Sequence, residues 1–149
     1  MKRVLWLLLL IVPLLNLSAC GKRSVKLGEV SEYLTNTKPG VTMAIVEAAP
    51  GAAVYQITNE TDAAIETGNE NAIVIETEQN GIWYQIETDE WSTTAEALII
   101  EAGQTREFET TWNATYGALP KGHYRIVKGF VCEDANTDHF ILSAEFEIA

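Results

Sequence analysis

The sequence predicts an all-β domain, an antiparallel sandwich or barrel, and three observations lead to this prediction. From residue 41 onward, polar and apolar residues alternate with a period of two, as in half-buried strands. About seven to nine such segments follow one another at a spacing of roughly 8–12 residues, each bounded by turn residues. No segment after residue 41 has the pattern of an amphipathic helix. With 47% hydrophobic residues in 149, the chain has enough apolar material for one core.

The individual strands are predicted from short alternating or β-branched runs between turn signals. Pro50-Gly51 closes the first run, and Asn59-Glu60-Thr61-Asp62 makes the turn after the second. Asn80-Gly81 lies between two β-rich runs and is the strongest short-range signal for a hairpin. The predicted strands cover residues 41–46, 54–59, 63–67, 73–78, 82–87, 97–100, 105–112, 123–132 and 140–148.

Alternation within the strands separates a core-facing side from a solvent-facing side. Tyr55 and Ile57 are predicted to face the core. Acidic residues occupy the opposite positions of several strands, where we expect them to keep the domain soluble and to discourage edge-to-edge association. The acidic residues predicted to be solvated are Glu76, Glu78, Glu87, Glu101, Glu107, Glu109, Glu145 and Glu147.

The charge of the chain limits its partners. There are 21 Asp and Glu residues against 10 Lys and Arg, and the formal net charge is −11. A phosphate backbone repels a protein of this sign, and no basic patch is present in the sequence, so nucleic acid is excluded as a partner. The same charge attracts a cationic partner by long-range steering, which salt weakens.

The N-terminus has the organisation of a secretory signal, predicted to cover residues 1–19. Lys2-Arg3 precedes an apolar run from Val4 to Leu15, and small residues follow. Twelve helical residues span about 18 Å, well short of the roughly 30 Å core of a bilayer. The apolar run is therefore predicted to direct export and not to form a permanent membrane span.

The end of this signal, Leu17-Ser18-Ala19-Cys20, resembles a bacterial lipobox. The resemblance implies that Cys20 is lipidated and becomes the first mature residue, which places the protein at the extracytoplasmic face of the cell membrane. Loss of Lys2 and Arg3 with the signal changes the formal charge from −11 to −13. The alternative is an ordinary signal with a chance cysteine. Gly21 does not distinguish a Gram-positive from a Gram-negative envelope.

Residues 20–40 are predicted to form the lipidated N-terminus and a flexible tether, and residues 41–149 the folded domain. Apolar residues are sparse before residue 41, and Lys22, Arg23 and Lys26 favour anionic head groups. With Cys20 used for lipid, Cys132 is left alone, so no intramolecular disulfide is expected. A single cysteine in an apolar strand is typically a small buried hydrophobe; a reactive thiol or an intermolecular link is the alternative.

One segment adds a more specific fold prediction. Gly122 lies two residues before Tyr124 at the start of the penultimate strand, which is similar to the tyrosine corner of immunoglobulin-like (Ig-like) sandwiches, and Ile126 falls where disulfide-bonded domains have a cysteine. The chain from Pro50 to Ala149 resembles a bacterial Ig-like domain found in lipoproteins, chiefly of Gram-positive bacteria. The resemblance implies an exposed Ig-like β-sandwich without established chemistry. Its segments are 80–84, 102–105, 112–128 and 143–148.

Catalytic and cofactor-binding residues are not predicted, and neither is a cofactor. The two histidines, His123 and His139, lie at strand starts and are expected at the surface. No Gly-rich phosphate loop and no Gly-x-Ser-x-Gly motif occurs in the sequence. A hydrolase needs a nucleophile, a base and an orienting group, and the sequence does not indicate such a set. We therefore expect that the protein is not an enzyme.

A metal site is considered and not predicted. Asp134, Asn136 and Asp138 have the oxygen-ligand spacing that opens a calcium loop, with Glu145 at the twelfth position. His139 stands where the loop requires glycine, and the following strand would carry Glu145 away from the ion. A hairpin turn is the preferred interpretation; a shallow site formed by the first three residues is the alternative.

Three tryptophans are candidates for an aromatic binding surface. Trp112 shares its face with Phe108 and is predicted to lie in the core, Trp83 to be partly exposed, and Trp91 to lie in the polar loop 88–94. Exposed tryptophans stack on sugars or anchor protein partners. A tryptophan packed over the end of the sandwich is the more ordinary interpretation.

Together, these patterns predict a lipid-anchored, non-enzymatic binding module with a protein or envelope component as its partner. Recognition is expected through sheet faces or through end loops, including residues 88–94 and 133–138. A proteinase inhibitor of Ig-like fold is one alternative, although it requires an exposed extended loop that the sequence does not clearly provide. A structural component of the envelope is the other alternative.

Overall fold

The chain folds into β-structure throughout the part that can be described. The computed structural model describes residues 24–88, 96–132 and 138–149. Within these ranges there is no helix, and hence none that could cross a bilayer. The strands there are β1 (Leu27–Val30), β2 (Val41–Ala49), β3 (Ala52–Asn59), β4 (Ile65–Gly68), β5 (Val74–Gln79), β6 (Ile82–Ile86), β7 (Ala97–Ile100), β8 (Thr105–Thr111), β9 (Gly122–Cys132) and β10 (Asp138–Ile148).

The strands form two antiparallel sheets. The smaller sheet has the order β2-β3-β8. In the larger sheet, β1, β6, β5 and β9 lie side by side, and β10 pairs along the other edge of β9. β9 is 11 residues long, and two strands share its first edge: β5 pairs with its first half, Val74 opposite Val127, and β4 with its second half, Ile65 opposite Cys132. β7 extends the sheet beyond β4. The predicted antiparallel sandwich is confirmed.

The core lies between the two sheets and follows the predicted alternation. Ile126 and Leu142 of the larger sheet and Ile57 of the smaller one are fully buried. Tyr55 stacks on Phe108 with ring centroids 5.5 Å apart. Full burial of such a side chain contributes about 1.5–3 kcal/mol each. Tyr55 and Ile57 therefore face the core, as the sequence predicts.

The predicted hairpin connects β5 and β6. Asn80 and Gly81 have φ values of 56° and 81°, the left-handed values that the two central residues of a type I′ turn require. Asparagine tolerates this conformation, and glycine adopts it without a steric cost. The backbone twist of this turn matches that of the two strands, which fixes the register with Gln79 opposite Ile82.

The predicted tyrosine corner is present at the start of β9. The Tyr124 hydroxyl donates a hydrogen bond of 2.8 Å to the carbonyl oxygen of Pro120, and the side chain is buried. A Cβ atom on Gly122 would lie 2.9 Å from that hydroxyl, so the ring position requires glycine there. Ile126, where disulfide-bonded Ig-like domains have a cysteine, is fully buried in the core.

Residues 27–38, which we call the N-terminal strap, are folded onto the larger sheet. Val30 in β1 pairs with Tyr84 in β6. Further along, the Asn36 N–H donates to the Ile141 carbonyl oxygen at 2.8 Å, and the Asn36 Oδ1 accepts from the Ser143 N–H at 2.9 Å. The strap therefore reaches from β6 on one side of the sheet to the edge of β10 on the other.

The prediction of a flexible tether is wrong for these residues. The strap is held by main-chain hydrogen bonds and by one asparagine side chain, and hydropathy patterns do not report either. The strap also contains β1, and the described residues therefore have ten strands, one more than the upper end of the predicted seven to nine. Cys20 and the signal peptide lie outside the described residues, so lipidation and cleavage stay predictions.

Candidate interaction surface

The larger sheet has a core face and an outer face, the latter turned away from the smaller sheet. Alternation along β9 places Ile126 on the core face and Arg125 and Val127 on the outer face. Val127 pairs with Ser143 and Glu76 pairs with Arg125, so these four residues lie together on the outer face. All four are buried. An outer sheet face is ordinarily wet, and the N-terminal strap is the element that covers this one.

Beneath the strap lies a buried ion pair. The Arg125 Nε and Nη2 atoms both lie 2.7 Å from the Glu76 Oε2 atom. The Nη2 atom also donates to the Ser31 Oγ atom of the strap at 3.1 Å, and the guanidinium group lies 4.5 Å from the centre of the Trp83 ring. Glu76 has no exposed surface, and its Oε1 atom has no hydrogen-bond partner among the described residues.

The expectation that Glu76 is solvated is therefore wrong. Alternation places its side chain on the outer face, as predicted, but the strap excludes water from that position. A buried pair of this kind adds little net stability, because the desolvation of two charges offsets their attraction. It constrains the structure strongly, since neither charge tolerates the loss of the other.

Beside the ion pair of Glu76 and Arg125, His123 lies between the carboxylates of Glu145 and Glu78. Its Nε2 atom is 3.1 Å from Glu145 Oε2, and its Nδ1 atom is 3.7 Å from Glu78 Oε2. The imidazole ring packs against Trp83 at 5.2 Å. His123 and Trp83 are both partly exposed, as predicted.

Along β9, the neighbouring strand on one edge changes from β5 to β4 after Val127. Lys128 lies at this junction. Its side chain is 2% exposed, and its Nζ atom donates to the carbonyl oxygens of Gly68, Asn69 and Ala72. Burial lowers the pKa of Lys128 to about 8, and the nearby carboxylate of Glu70 opposes this shift. Lys128 therefore holds the end of β4 and the loop that follows it, by donating hydrogen bonds to their carbonyl groups.

The second half of the outer face is open. Here β4, β9 and β10 form a groove with a volume of about 670 Å³. Glu66 pairs with Val131, and Ile141 pairs with Gly129, so the same alternation directs these positions into the groove. The groove is lined by Glu66, Thr67, Gly68, Ala72, Glu96, Ala97, Gly129, Phe130, Val131, His139, Phe140 and Ile141.

A smaller groove connects the open half with the strap. It has a volume of about 310 Å³ and is lined by Tyr33 of the strap together with Val127, Lys128 and other residues. Ala72, Gly129 and Ile141 line both grooves. The open half is therefore continuous with the surface on which the strap lies.

Several residues singled out from the sequence have defined positions. Cys132 is buried with 1% exposure, and Trp112 is buried with its Nε1 atom donating to the Pro50 carbonyl oxygen at 2.8 Å, so both predictions of core positions are confirmed. Asp138 accepts a hydrogen bond from the Lys38 Nζ atom at 2.9 Å. Within the described ranges, no group of three or more His, Cys, Asp or Glu side chains could hold a metal ion.

Of the remaining candidate residues, several lie outside the described part of the chain and one, His139, lies within it. Trp91 and most of the loop 88–94 lie outside the described residues, as do Asp134 and Asn136 of the possible calcium loop. His139 is exposed and lines the open groove.

The sequence contained one signal for a buried polar contact that the predictions did not use. Lys128 occupies a core-facing position of β9, between Ile126 and Phe130, where alternation calls for an apolar side chain. A lysine at such a position indicates a nearby set of acceptors. No comparable signal marks Glu76, because its position in the alternation is that of an ordinary solvated residue.

The two sheets, the tyrosine corner and the core together define an Ig-like β-sandwich. The sequence model of a family described as "Bacterial Ig-like domain" matches residues 37–147. This match covers well over half of the chain, and the chain therefore belongs to the bacterial Ig-like domain family. Ig-like sandwiches are typically non-catalytic, and the fold suggests a binding or interaction module.

Two other comparisons add little. Among curated proteins, none matches the chain. A similar solved structure is the ASH / PapD-like domain of human CEP192 (PapD-like domain 7), with 13% sequence identity, a TM-score of 0.30, and coverage of 82% of this chain and 99% of that one. At this TM-score the likeness supports no conclusion about the present chain.

Proposed function

We propose that the protein is a lipid-anchored interaction module that displays a non-enzymatic Ig-like domain at the extracytoplasmic face of a bacterial membrane. The observation that carries the interaction role is the open groove of about 670 Å³ on the outer face of the larger sheet. Family membership agrees with this role, because Ig-like sandwiches present sheet faces and loops to partners. The lipobox-like segment ending at Cys20 supports the anchor.

Because the strap is folded onto the domain, only a short segment remains between a lipid on Cys20 and the folded part. The folded part begins within the stretch that was predicted as a tether, and Leu27 at the start of β1 is the seventh residue after Cys20. Seven residues reach at most about 25 Å. A lipid on Cys20 would therefore keep the domain close to the bilayer surface, and the partner would be a component of the envelope near that surface.

The anchor is tested by mass spectrometry and by detergent-phase partitioning of the protein from membranes. The wild type is expected to enter the detergent phase and to have a diacylglyceryl-modified N-terminal Cys20. Cys20→Ala is expected to move to the aqueous phase, because the lipid is lost. Cys132→Ala is the matched control and keeps the lipid. Equal partitioning of wild type and Cys20→Ala would remove the anchor from this proposal.

The interaction role is tested separately by chemical crosslinking in the native envelope. A specific partner that is captured by the wild type in repeated experiments supports an interaction module. Absence of any specific crosslinked partner would instead favour the structural alternative, and stable protection of proteases from their substrates would favour an inhibitor.

A further inference from the structure

Gly129 forms the floor of the open groove and lies in the middle of β9. Its φ is not among the positive values, so the strand conformation does not require glycine. Among the described residues, nothing would lie within 4 Å of a Cβ atom at this position. Glycine weakens a strand, and inside one it often marks a place where a ligand or another backbone approaches closely. The space above Gly129 is thus not explained by packing among the described residues.

The charge of the groove limits what it can hold. Glu66 and Glu96 are exposed and line it, and among the described residues no Lys or Arg does so. The whole chain has a formal charge of −11. A second copy of this chain would bring the same charge and be repelled, whereas a cationic segment would be attracted.

The N-terminal strap shows how this face holds an extended segment. Asn36 bonds to the main chain of β10 at Ile141 and Ser143, and Ser31 receives a hydrogen bond from Arg125. The open groove continues directly from this surface, because Gly129 and Ile141 line both the groove at the strap and the open one. An extended segment beside the strap would lie over the same strands, β9 and β10. At the edge of the groove it would meet the carboxylates of Glu66 and Glu96.

We propose that the open groove binds an extended segment of a partner protein that carries Lys or Arg side chains, laid across β4, β9 and β10 beside the strap. The backbone of the segment would approach Gly129, and its cationic side chains would pair with Glu66 and Glu96. This inference rests on the proposed interaction function and specifies its site and the chemistry of its partner.

The test measures binding of fluorescent octapeptides to the full chain in a neutral detergent. The probes are four Lys-Thr repeats, four Arg-Thr repeats and, as the opposite charge, four Glu-Thr repeats. Both cationic peptides are expected to bind and to weaken as NaCl is raised from about 50 mM to about 500 mM. The acidic peptide is expected not to bind. Failure of both cationic peptides to bind at about 1 mM overturns the proposal.

The variant Gly129→Leu tests whether the cationic peptides bind in the open groove. Because the new side chain enters open space, the variant is expected to keep the melting temperature of the wild type while weakening peptide binding at least about tenfold. The double change Glu66→Gln and Glu96→Gln is expected to weaken binding and to reduce its salt dependence. Thr42→Leu, an exposed position on β2, is the matched control and should leave binding unchanged. Cationic peptides that bind wild type and Gly129→Leu equally would place their site elsewhere and refute the groove.

The envelope crosslinking experiment separates this inference from the proposed function. If wild type and Gly129→Leu capture the same partner equally well, the interaction function stands and the groove proposal fails. Loss of that partner in Gly129→Leu, with Thr42→Leu unaffected, supports both.

Discussion

The two halves of the outer face differ although the same strand, β9, runs through both. In the covered half, Arg125 and Val127 are buried under the N-terminal strap, and the guanidinium group is paired with Glu76 and packed against Trp83. In the open half, Gly129 is exposed and forms the floor of a groove. The strand period is the same in both halves. A segment that crosses the sheet, and not the alternation, therefore decides whether an outward position is exposed to solvent.

The strongest test of the covered half is Arg125→Met. The variant leaves Glu76 fully buried without its cationic partner, and we expect a loss of about 3–5 kcal/mol in the free energy of unfolding, measured with urea. Lys121→Met, at an exposed position just before β9, is the control, and its effect should be under about 1 kcal/mol.

The double variant Glu76→Leu and Arg125→Met distinguishes the cost of an unpaired buried charge from the cost of altered packing. Because it removes both charges, it should recover most of the loss of Arg125→Met. If Arg125→Met alone is as stable as the wild type, the covered half is hydrated in solution and the contrast between the two halves disappears.

A smaller effect is expected when the strap is loosened at its far end. Asn36→Ala removes the side-chain bonds to Ser143 and places alanine at a φ of 59°, so we expect a loss of about 2 kcal/mol. Hydrogen exchange of the Ser143 amide, which Asn36 protects, should become faster. Asn36→Gly is the control: it also loses the bonds but keeps the backbone conformation, and it should lose less stability. Unchanged exchange at Ser143 would contradict the role of the strap as a cover.

The smallest effect concerns Lys128, at the junction between the two halves. Its pKa is about 8 in the folded protein and 10.5 ordinarily, so the folded protein releases this proton first as the pH rises. Between these values the unfolded chain binds more protons, and stability therefore increases with pH. From pH 8 to about 9.5 we expect a gain on the order of 1–2 kcal/mol from this group.

The pH dependence of the free energy of unfolding, measured on variants, shows whether Lys128 causes the increase. Lys128→Met should remove the increase, while Lys121→Met, at an exposed position, should keep it. If the stability of the wild type does not rise over this range relative to that of Lys128→Met, the ammonium group is stabilised by its three carbonyl acceptors beyond the cost of burial.

Local chemistry made much of the fold predictable. The Asn80-Gly81 turn, the tyrosine corner at Gly122 and Tyr124, and the period of two each depend on residues close in sequence, so their signals are visible in the chain itself. The nine predicted strands correspond to β2 through β10 for this reason. The strap was missed because its polar residues resemble a linker, and its hydrogen bonds join residues such as Asn36 and Ser143 that lie far apart in sequence.

The sequence by itself determined the fold class, the core-facing positions and the acidic charge, because strand period, turn residues and composition are local properties. It also carries the lipobox-like segment that predicts an anchor on Cys20. Only the tertiary structure decided which outward positions are wet: the strap buries Glu76, Arg125 and Val127, while the sheet beyond it stays open above Gly129. The physical reason is that solvent exposure depends on every segment that packs against a position, including segments distant in the chain.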